Sequence, residues 1–566
     1  MAYPTRSVHQ HRSAHRRHRN RAREAGTVAR SGDAVNGEIA AADEYGSAPA
    51  TGRSSVRAPS VPLDARLVPT AVGCWIATIV GVALGWRFGV ATAVVLAAAA
   101  LASAVVVRRG GVRPSRRGVT WSVLAALTAA SGFALAAAWQ EYRVSTHPLS
   151  LLSTGSTVTA EVVVGDPKPL PGRSFGGRQW LMRATLVEFR YGATTTRGEA
   201  AVTVIMPERG WSALVPGQHV RFRAELDRPW RRDLTVAVLR AEGPPQAGPR
   251  PWWQAAATRV RTDLAAAAQR ALPPDAAGVL PGLIDGDVSR VPDEVRENFR
   301  AVDLTHLLAV SGTNVSIVLG AVLLSTRALT LDPRWGAILA GPALLGFVVL
   351  ARPSPSVLRA AAMGAIAILA ILTGRRKQAL PALCTAMIVL LAIWPELAVD
   401  IGFALSVLAT GALILVAPSW SQWLERRGWP PLMAQAFGVA AAAFAVTTPI
   451  IAALTGKVSG LAIVANVLVE PVVAPVTVLG VVAAALSCLW QPAAIWVLNL
   501  TELPMWWLLT VAEHTAALGV TLPIPSGAAG ALLGLLLVVI AVALLARVGA
   551  RRGRPPSGEL RRTYRS

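Results

Sequence analysis

Three cysteines, Cys74, Cys384 and Cys488, are all that this chain of 566 residues contains. Each lies in or beside an apolar segment and no two are close in sequence, which argues against a disulfide framework or a zinc cluster. Charge is also scarce, at 15% of residues. There is no G-x-x-x-x-G-K-[ST] phosphate loop. The single His-x-His, His9-Gln10-His11, falls in a polar arm. No metal, cofactor or enzymatic centre is expected. A cleavable signal peptide is not expected either, because the first apolar run begins only near Pro69.

What the chain has in excess is apolar length. Hydrophobic residues make up 53% of it, and many runs reach the roughly 18–20 residues that span a bilayer. A soluble core explains one or two such runs, not a dozen. The expected fold is a polytopic α-helical membrane protein of about twelve transmembrane segments. The formal charge of +23 is nearly all arginine. It fits nucleic acid or anionic lipid, and equally the retention of basic loops in the cytoplasm.

The composition changes along the chain in steps. Residues 1–67 are polar, Arg-rich and without hydrophobic periodicity, and predict a disordered cytoplasmic tail that attracts lipid. Residues 68–140 hold three apolar runs. Residues 141–250 alternate apolar and polar positions in five short stretches, as in Thr157-Val158-Thr159-Ala160-Glu161-Val162. Turn signals at Pro169–Gly177 and Pro216-Gly217 punctuate them, which predicts a small β-barrel with the strand count of an OB fold. Residues 251–302 predict an amphipathic, interfacial helical linker led by Trp252-Trp253. Residues 303–546 hold nine further apolar runs, the membrane core, and residues 547–566 a basic cytoplasmic tail. The basic stretches Arg108–Arg117, Arg375-Arg376-Lys377 and Glu425-Arg426-Arg427 fall where inside loops are needed if both termini are cytoplasmic and the barrel is outside.

Polar groups inside apolar runs are costly and mark pathways or helix partners. Asp303-Leu304-Thr305-His306-Leu307-Leu308-Ala309-Val310-Ser311-Gly312-Thr313-Asn314 opens one run. His306 fits either a pathway or coupling role or a helix–helix hydrogen bond. Ser311 and Asn314 are hydrogen-bonding candidates, and Gly312 allows close backbone approach or a broken helix. Arg359 stands near the start of another run, where it could hold phosphate, snorkel or pair with an acid. Ser406 follows in Gly402-Phe403-Ala404-Leu405-Ser406. Asn466 and Glu470 are four residues apart and share a helical face. Glu470 repels a polyanion, so pairing with a base or coupling to protons suits it better. In the barrel region, 15 Lys plus Arg face ten Asp plus Glu. Arg221, Arg223, Trp180 and Trp230 are candidates there for single-stranded nucleic acid.

The block His306-Leu307-Leu308-Ala309-Val310-Ser311-Gly312 resembles the H-L-L-A-I-S-G-x-H-V element of the ComEC-type competence proteins. Gly286-Asp287, Arg359-Ala360, the G-F-x-L-S element ending at Ser406, Thr448-Pro449 and Asn466–Pro471 follow in that family's order. The resemblance is strong over roughly 270–500 and loose over the barrel. It implies a channel that passes single-stranded DNA across the cytoplasmic membrane during natural transformation. The partners it implies are single-stranded DNA, membrane lipids, a separate DNA receptor, a cytoplasmic ATPase or helicase, a nuclease, and copies of itself in a homo-oligomer. Where the family usually has a second histidine this chain has Asn314, so a role needing two imidazoles does not carry over. The C-terminal metallo-β-lactamase-like domain of many members is not expected here. The competing readings are a proton-coupled transporter or flippase of a small or lipidic substrate, and an assembly scaffold.

Overall fold

The computed structural model describes residues 64–109, 117–170, 179–211, 213–308, 310, 312–352, 354–374 and 378–552. Residues 1–63 of the basic arm, most of the Arg108–Arg117 loop, most of the Pro169–Gly177 turn, Ser311, Arg375-Arg376-Lys377 and residues 553–566 lie outside the described residues.

Three helices come first: α1 Val68–Ile79, α2 Trp86–Arg108 and α3 Arg117–Ser145. Pro69 opens α1 at a position where its missing N–H costs nothing. A π turn, Val80–Leu84, continues α1 and stops at Gly85, whose φ of 103° few other residues adopt. The three helices pack through small residues. A Cβ on Gly81 would lie 2.7 Å from that of Ala137, the close approach that membrane helices use in place of a hydrophobic driving force.

The barrel comprises β1 Thr157–Val164, β2 Gln179–Tyr191, β3 Thr194–Pro207, β4 His219–Asp227 and β5 Ala237–Ala247. Strict alternation decides which side faces in. In β4, Val220, Phe222, Ala224 and Leu226 are buried and the residues between them are not. Antiparallel pairs join β1 to β2, β2 to β3, β5 to β4 and β4 to β1, while β3 and β5 run parallel with Val202 opposite Ala237. The ring therefore closes in the order 1-2-3-5-4, leaving these strands no free edge. Trp211 fills the interior, 4.9 Å from the Phe222 ring, and its indole N–H donates to the Gly243 carbonyl.

Ion pairs brace the outer face. Arg197 donates to Glu188 and Arg240 to Asp227, each at 2.9 Å, and these hydrogen bonds hold both carboxyls below their ordinary range. Because the folded values lie below the unfolded ones, the stabilisation is complete above the usual carboxylate range. It is lost as pH falls through the lowered values. The barrel's thermal midpoint should therefore drop below about pH 4, and Glu188→Gln with Asp227→Asn should flatten that profile. An equally steep profile in the double variant would rule these pairs out as its source.

The chain then runs through α4 Trp252–Ala271, α5 Pro274–Ile284 and α6 Asp293–Ala301. Trp252 and Trp253 are exposed, as an interfacial helix requires. In contrast, α5 is buried from Ala276 to Ile284 and is part of the packed interior rather than a surface linker. Eleven helices complete the core: α7 Gly312–Ala328, α8 Pro333–Ala351, α9 Pro355–Leu372, α10 Ala379–Ile393, α11 Ile401–Leu415 and α12 Ala417–Glu425 are followed by α13 Pro431–Thr455, α14 Ala462–Ser487, α15 Gln491–Asn499, α16 Glu502–Ala517 and α17 Ala528–Arg552.

Among the described residues six helices, α2, α3, α8, α9, α13 and α14, are long and apolar enough to cross a membrane. The count is eight if α11 with α12 and α15 with α16, bent by 40° and 52°, are single spans. Four more apolar helices are shorter. Apolar length in sequence overstates helix length at two places. The run expected from residue 303 starts as a 3-10 turn, Leu304–Leu307, because Asp303 is left-handed at φ 57° and α7 begins only at Gly312. One of the nine apolar runs, over 492–516, breaks between Asn499 and Glu502.

Candidate functional site

Two helix starts set the site. At α9 the Ser354 hydroxyl accepts from the Val357 amide at 3.3 Å, with Pro355 as the first helical residue. That cap puts Arg359 about one turn inside the helix. At α11 the Asp400 carboxylate accepts from the Phe403 amide at 2.8 Å, which brings Ser406 to the second turn. Arg359 Nε then donates to Ser406 Oγ at 2.7 Å, and its Nη1 meets the Met363 sulfur at 3.4 Å. Arg359 is only 6% exposed. Among the described residues no carboxylate lies within ion-pairing distance of it. A guanidinium with five donors, held by a hydroxyl and a thioether, keeps capacity for an anion.

Arg359 stands in the wall of a cavity of about 1660 Å³. The cavity follows α9 from Arg359 to Thr373. The 18 residues of α9 rise about 27 Å, close to the apolar thickness of a bilayer. One stripe of α7 faces it: Gly312, Val315, Ser316, Leu319, Gly320 and Leu323, a spacing of three and four. Parts of α10, α11, α13 and α14 complete the wall with alanines, larger aliphatic residues and scattered hydroxyl groups. Small side chains leave the space open. Gly312 packs closely on the arginine: a Cβ there would come within 2.9 Å of Arg359 Nη2.

Of the residues singled out in sequence, His306, Gly312, Arg359, Ser406, Asn466 and Glu470 all line this cavity. His306 Nδ1 is 2.8 Å from the Asp303 carbonyl. A carbonyl only accepts, so Nδ1 carries the hydrogen and Nε2 is the free acceptor. Asn466 donates to the Ala462 carbonyl of its own helix at 2.8 Å. Glu470 makes no ion pair among the described residues, which leaves, of the two roles expected for it, coupling to protons. Asn314 is not in the wall: it is buried and donates to the Leu283 carbonyl at 2.7 Å, stitching α7 to α5. The reason is helical phase, since position 314 falls off the stripe on which 312, 315 and 316 lie. Ser311 is outside the described residues.

The barrel candidates separate as well. Arg221 is spent on Glu161 at 2.8 Å and Arg223 on Glu242 at 3.0 Å. Trp180 packs against the barrel interior. Trp230 is 59% exposed, and Arg221 and Arg223 are exposed as well but ion-paired. Cavity groups that sequence reasoning missed are Asp303, Gln378, Thr385, Thr410 and Thr447. Thr410 lies one turn beyond Ser406, and that i, i+4 polar spacing was the available signal.

Barrel and core meet at a charged junction. Arg352, left-handed at φ 60°, pairs with Asp166 just after β1. Arg261 of α4 is buried and donates to the last carbonyls of α8, Leu350 at 2.8 Å and Val349 at 3.0 Å. It satisfies acceptors that a helix end leaves open. Arg261→Ala should cost about 3 kcal/mol, read as a lower thermal midpoint of the full chain in detergent. An unchanged midpoint would remove Arg261 from the account of this junction.

Residues 283–548 match the family model described as Competence protein. The ComE operon protein 3 of Bacillus subtilis (strain 168) is 34% identical over 151 residues, 27% of this chain. The match spans 20% of that relative's length. No solved structure matches the chain.

Proposed function

We propose that the chain is a ComEC-type competence protein, as its similarity to that family supports, and acts as a channel that passes single-stranded DNA across the cytoplasmic membrane during DNA uptake. The observation that carries this reading is the cavity along most of α9, with Arg359 buried in its wall and, among the described residues, no carboxylate paired to it. Phosphates moving along such a wall meet one fixed cation, Arg359, between Gly312 and Ser406. Among the described lining residues no second Lys or Arg is there to hold them, which suits a strand that must leave as well as enter.

The finer architecture follows the same reading. The eight spans and the four shorter apolar helices make twelve crossings. Arg108, Arg109, Arg426 and Arg427 lie at the helix ends away from the barrel, which supports cytoplasmic termini and a barrel outside. The barrel order 1-2-3-5-4, with its one parallel pair, supports an OB fold. In this reading the chain itself performs no hydrolysis. A DNA receptor, an ATPase or helicase and a nuclease are separate proteins, and copies of the chain associate with one another.

One observation favours a second reading. Glu470 and His306 share the cavity wall, and Glu470 has no ion partner among the described residues, an arrangement that proton coupling to a small or lipidic substrate would use. Entry of labelled DNA into the cytoplasm separates the two. A strain lacking the chain should hold DNA outside the membrane, and restoring the chain should restore entry. Normal entry without it would end the channel reading and leave the small-substrate transporter.

A further inference from the structure

Exposed arginines without an ion pair among the described barrel residues include Arg190, Arg209, Arg228 and Arg231, and the last two sit in one loop beside an exposed tryptophan. Arg183, Arg197, Arg221, Arg223 and Arg240 on the strands each hold a carboxylate between 2.8 and 3.0 Å away. Strand arginines so engaged, unlike an unpaired arginine, have part of their charge offset by a neighbouring carboxylate. The loop from β4 to β5 differs. It reads Arg228-Pro229-Trp230-Arg231-Arg232-Asp233-Leu234. Arg228 and Arg231 are exposed and make no ion pair among the described residues. Trp230 stands between them with its indole 59% exposed.

The foot of the loop is fixed. Leu234, left-handed at φ 64° and 5% exposed, is buried beside Val82 of the π turn after α1 and Ala137 of α3, with Val399 against them. Asp233 pairs with Arg183, and Arg232 donates to the Leu84 carbonyl at 3.4 Å. A strained non-glycine residue persists when its surroundings over-determine it. Here the surroundings hold the loop against the core three residues before Gly402, which lines the cavity.

We propose that Arg228, Trp230 and Arg231 form the collar that collects single-stranded nucleic acid at the cavity mouth, the two guanidinium groups on successive phosphates and the indole under a base. This rests on the channel reading above. Stacking on an exposed aromatic beside a basic groove is how single strands are held without sequence preference. Loops joining the fourth and fifth strands of such barrels are binding loops. A lipid anchor is the less apt occupant. The tip has one large apolar side chain among three arginines. An aromatic belt already stands at that end of the helices, with Trp86 5.5 Å and Trp139 6.0 Å from Tyr142.

The test is binding of a fluorescent oligothymidylate of roughly 12 nucleotides to the full chain in nanodiscs, titrated against salt. Nanodiscs of zwitterionic lipid alone and with phosphatidylglycerol are the two arms. Trp230→Ala should weaken binding about tenfold, and Trp230→Phe should retain most of it. Arg228→Ala with Arg231→Ala should weaken binding and lower the salt slope by about 1.4. Arg221→Ala with Arg223→Ala should stay near wild type. Wild-type affinity in the loop variants, with the strand pair losing it instead, overturns the collar and leaves the channel standing. Loop variants that bind DNA normally but lose a preference for phosphatidylglycerol make the loop a lipid anchor. If the wild-type chain binds no oligothymidylate in either arm, the channel reading falls and the collar with it.

Discussion

Arg359→Ala lowers DNA uptake by about 100-fold, the loss expected when one buried charged contact is removed, with the chain at its normal level in the membrane. The guanidinium is anchored through Nε to Ser406 and has no carboxylate to satisfy it among the described residues. Removing it takes the fixed cation from the wall without leaving a buried acid behind, so folding suffers less than conduction. Arg359→Lys keeps the charge and loses the planar fork and the Ser406 geometry, and should fall between wild type and alanine. Gly312→Ala acts on the same group from the other side, since its Cβ would press within 2.9 Å of Nη2. Transformation frequency normalised to membrane protein level reads all three. Wild-type frequency in Arg359→Ala would mean that DNA does not pass this wall.

The second large effect is chemical blockade of the cavity. Ala409 lines it midway along α11, whereas Ala412, three residues on, is buried against other helices. In a chain with Cys74, Cys384 and Cys488 changed to serine, Ala409→Cys should react with a water-borne cationic methanethiosulfonate. Uptake should then fall to the level of the deletion. Ala412→Cys should be unaffected, and thiol reductant should restore the first. A thiol at 409 that never reacts would make the cavity dry and closed to a hydrated strand. Reaction without loss of uptake would put the DNA path elsewhere.

How much of this was legible in sequence follows from which forces are local. Transfer of an apolar run from water depends on its own composition, so the membrane core could be read directly from hydropathy. Strand alternation is equally local, and all five barrel strands stood in it. The cost of polar groups in hydrocarbon pointed to His306, Gly312, Arg359, Ser406, Asn466 and Glu470 one at a time. Their order along the chain carried the family resemblance.

Packing decided the rest. That these six residues share one cavity depends on how α7, α9, α11 and α14 rotate against each other, and no single segment encodes its own rotation. The left-handed Asp303 delays α7 to Gly312, which turns Asn314 out of the wall and onto Leu283. Charge in sequence is a sum, whereas charge available to a ligand is what remains after pairing. Arg221 and Arg223 looked open until strand register set them on Glu161 and Glu242, while Arg228 and Arg231 stayed unpaired in a loop. Composition thus decided the solvent this chain lives in and the elements it forms. Contacts between residues tens to hundreds of positions apart decided which of its polar groups face the path, because pairing and helix phase exist only once the elements are packed.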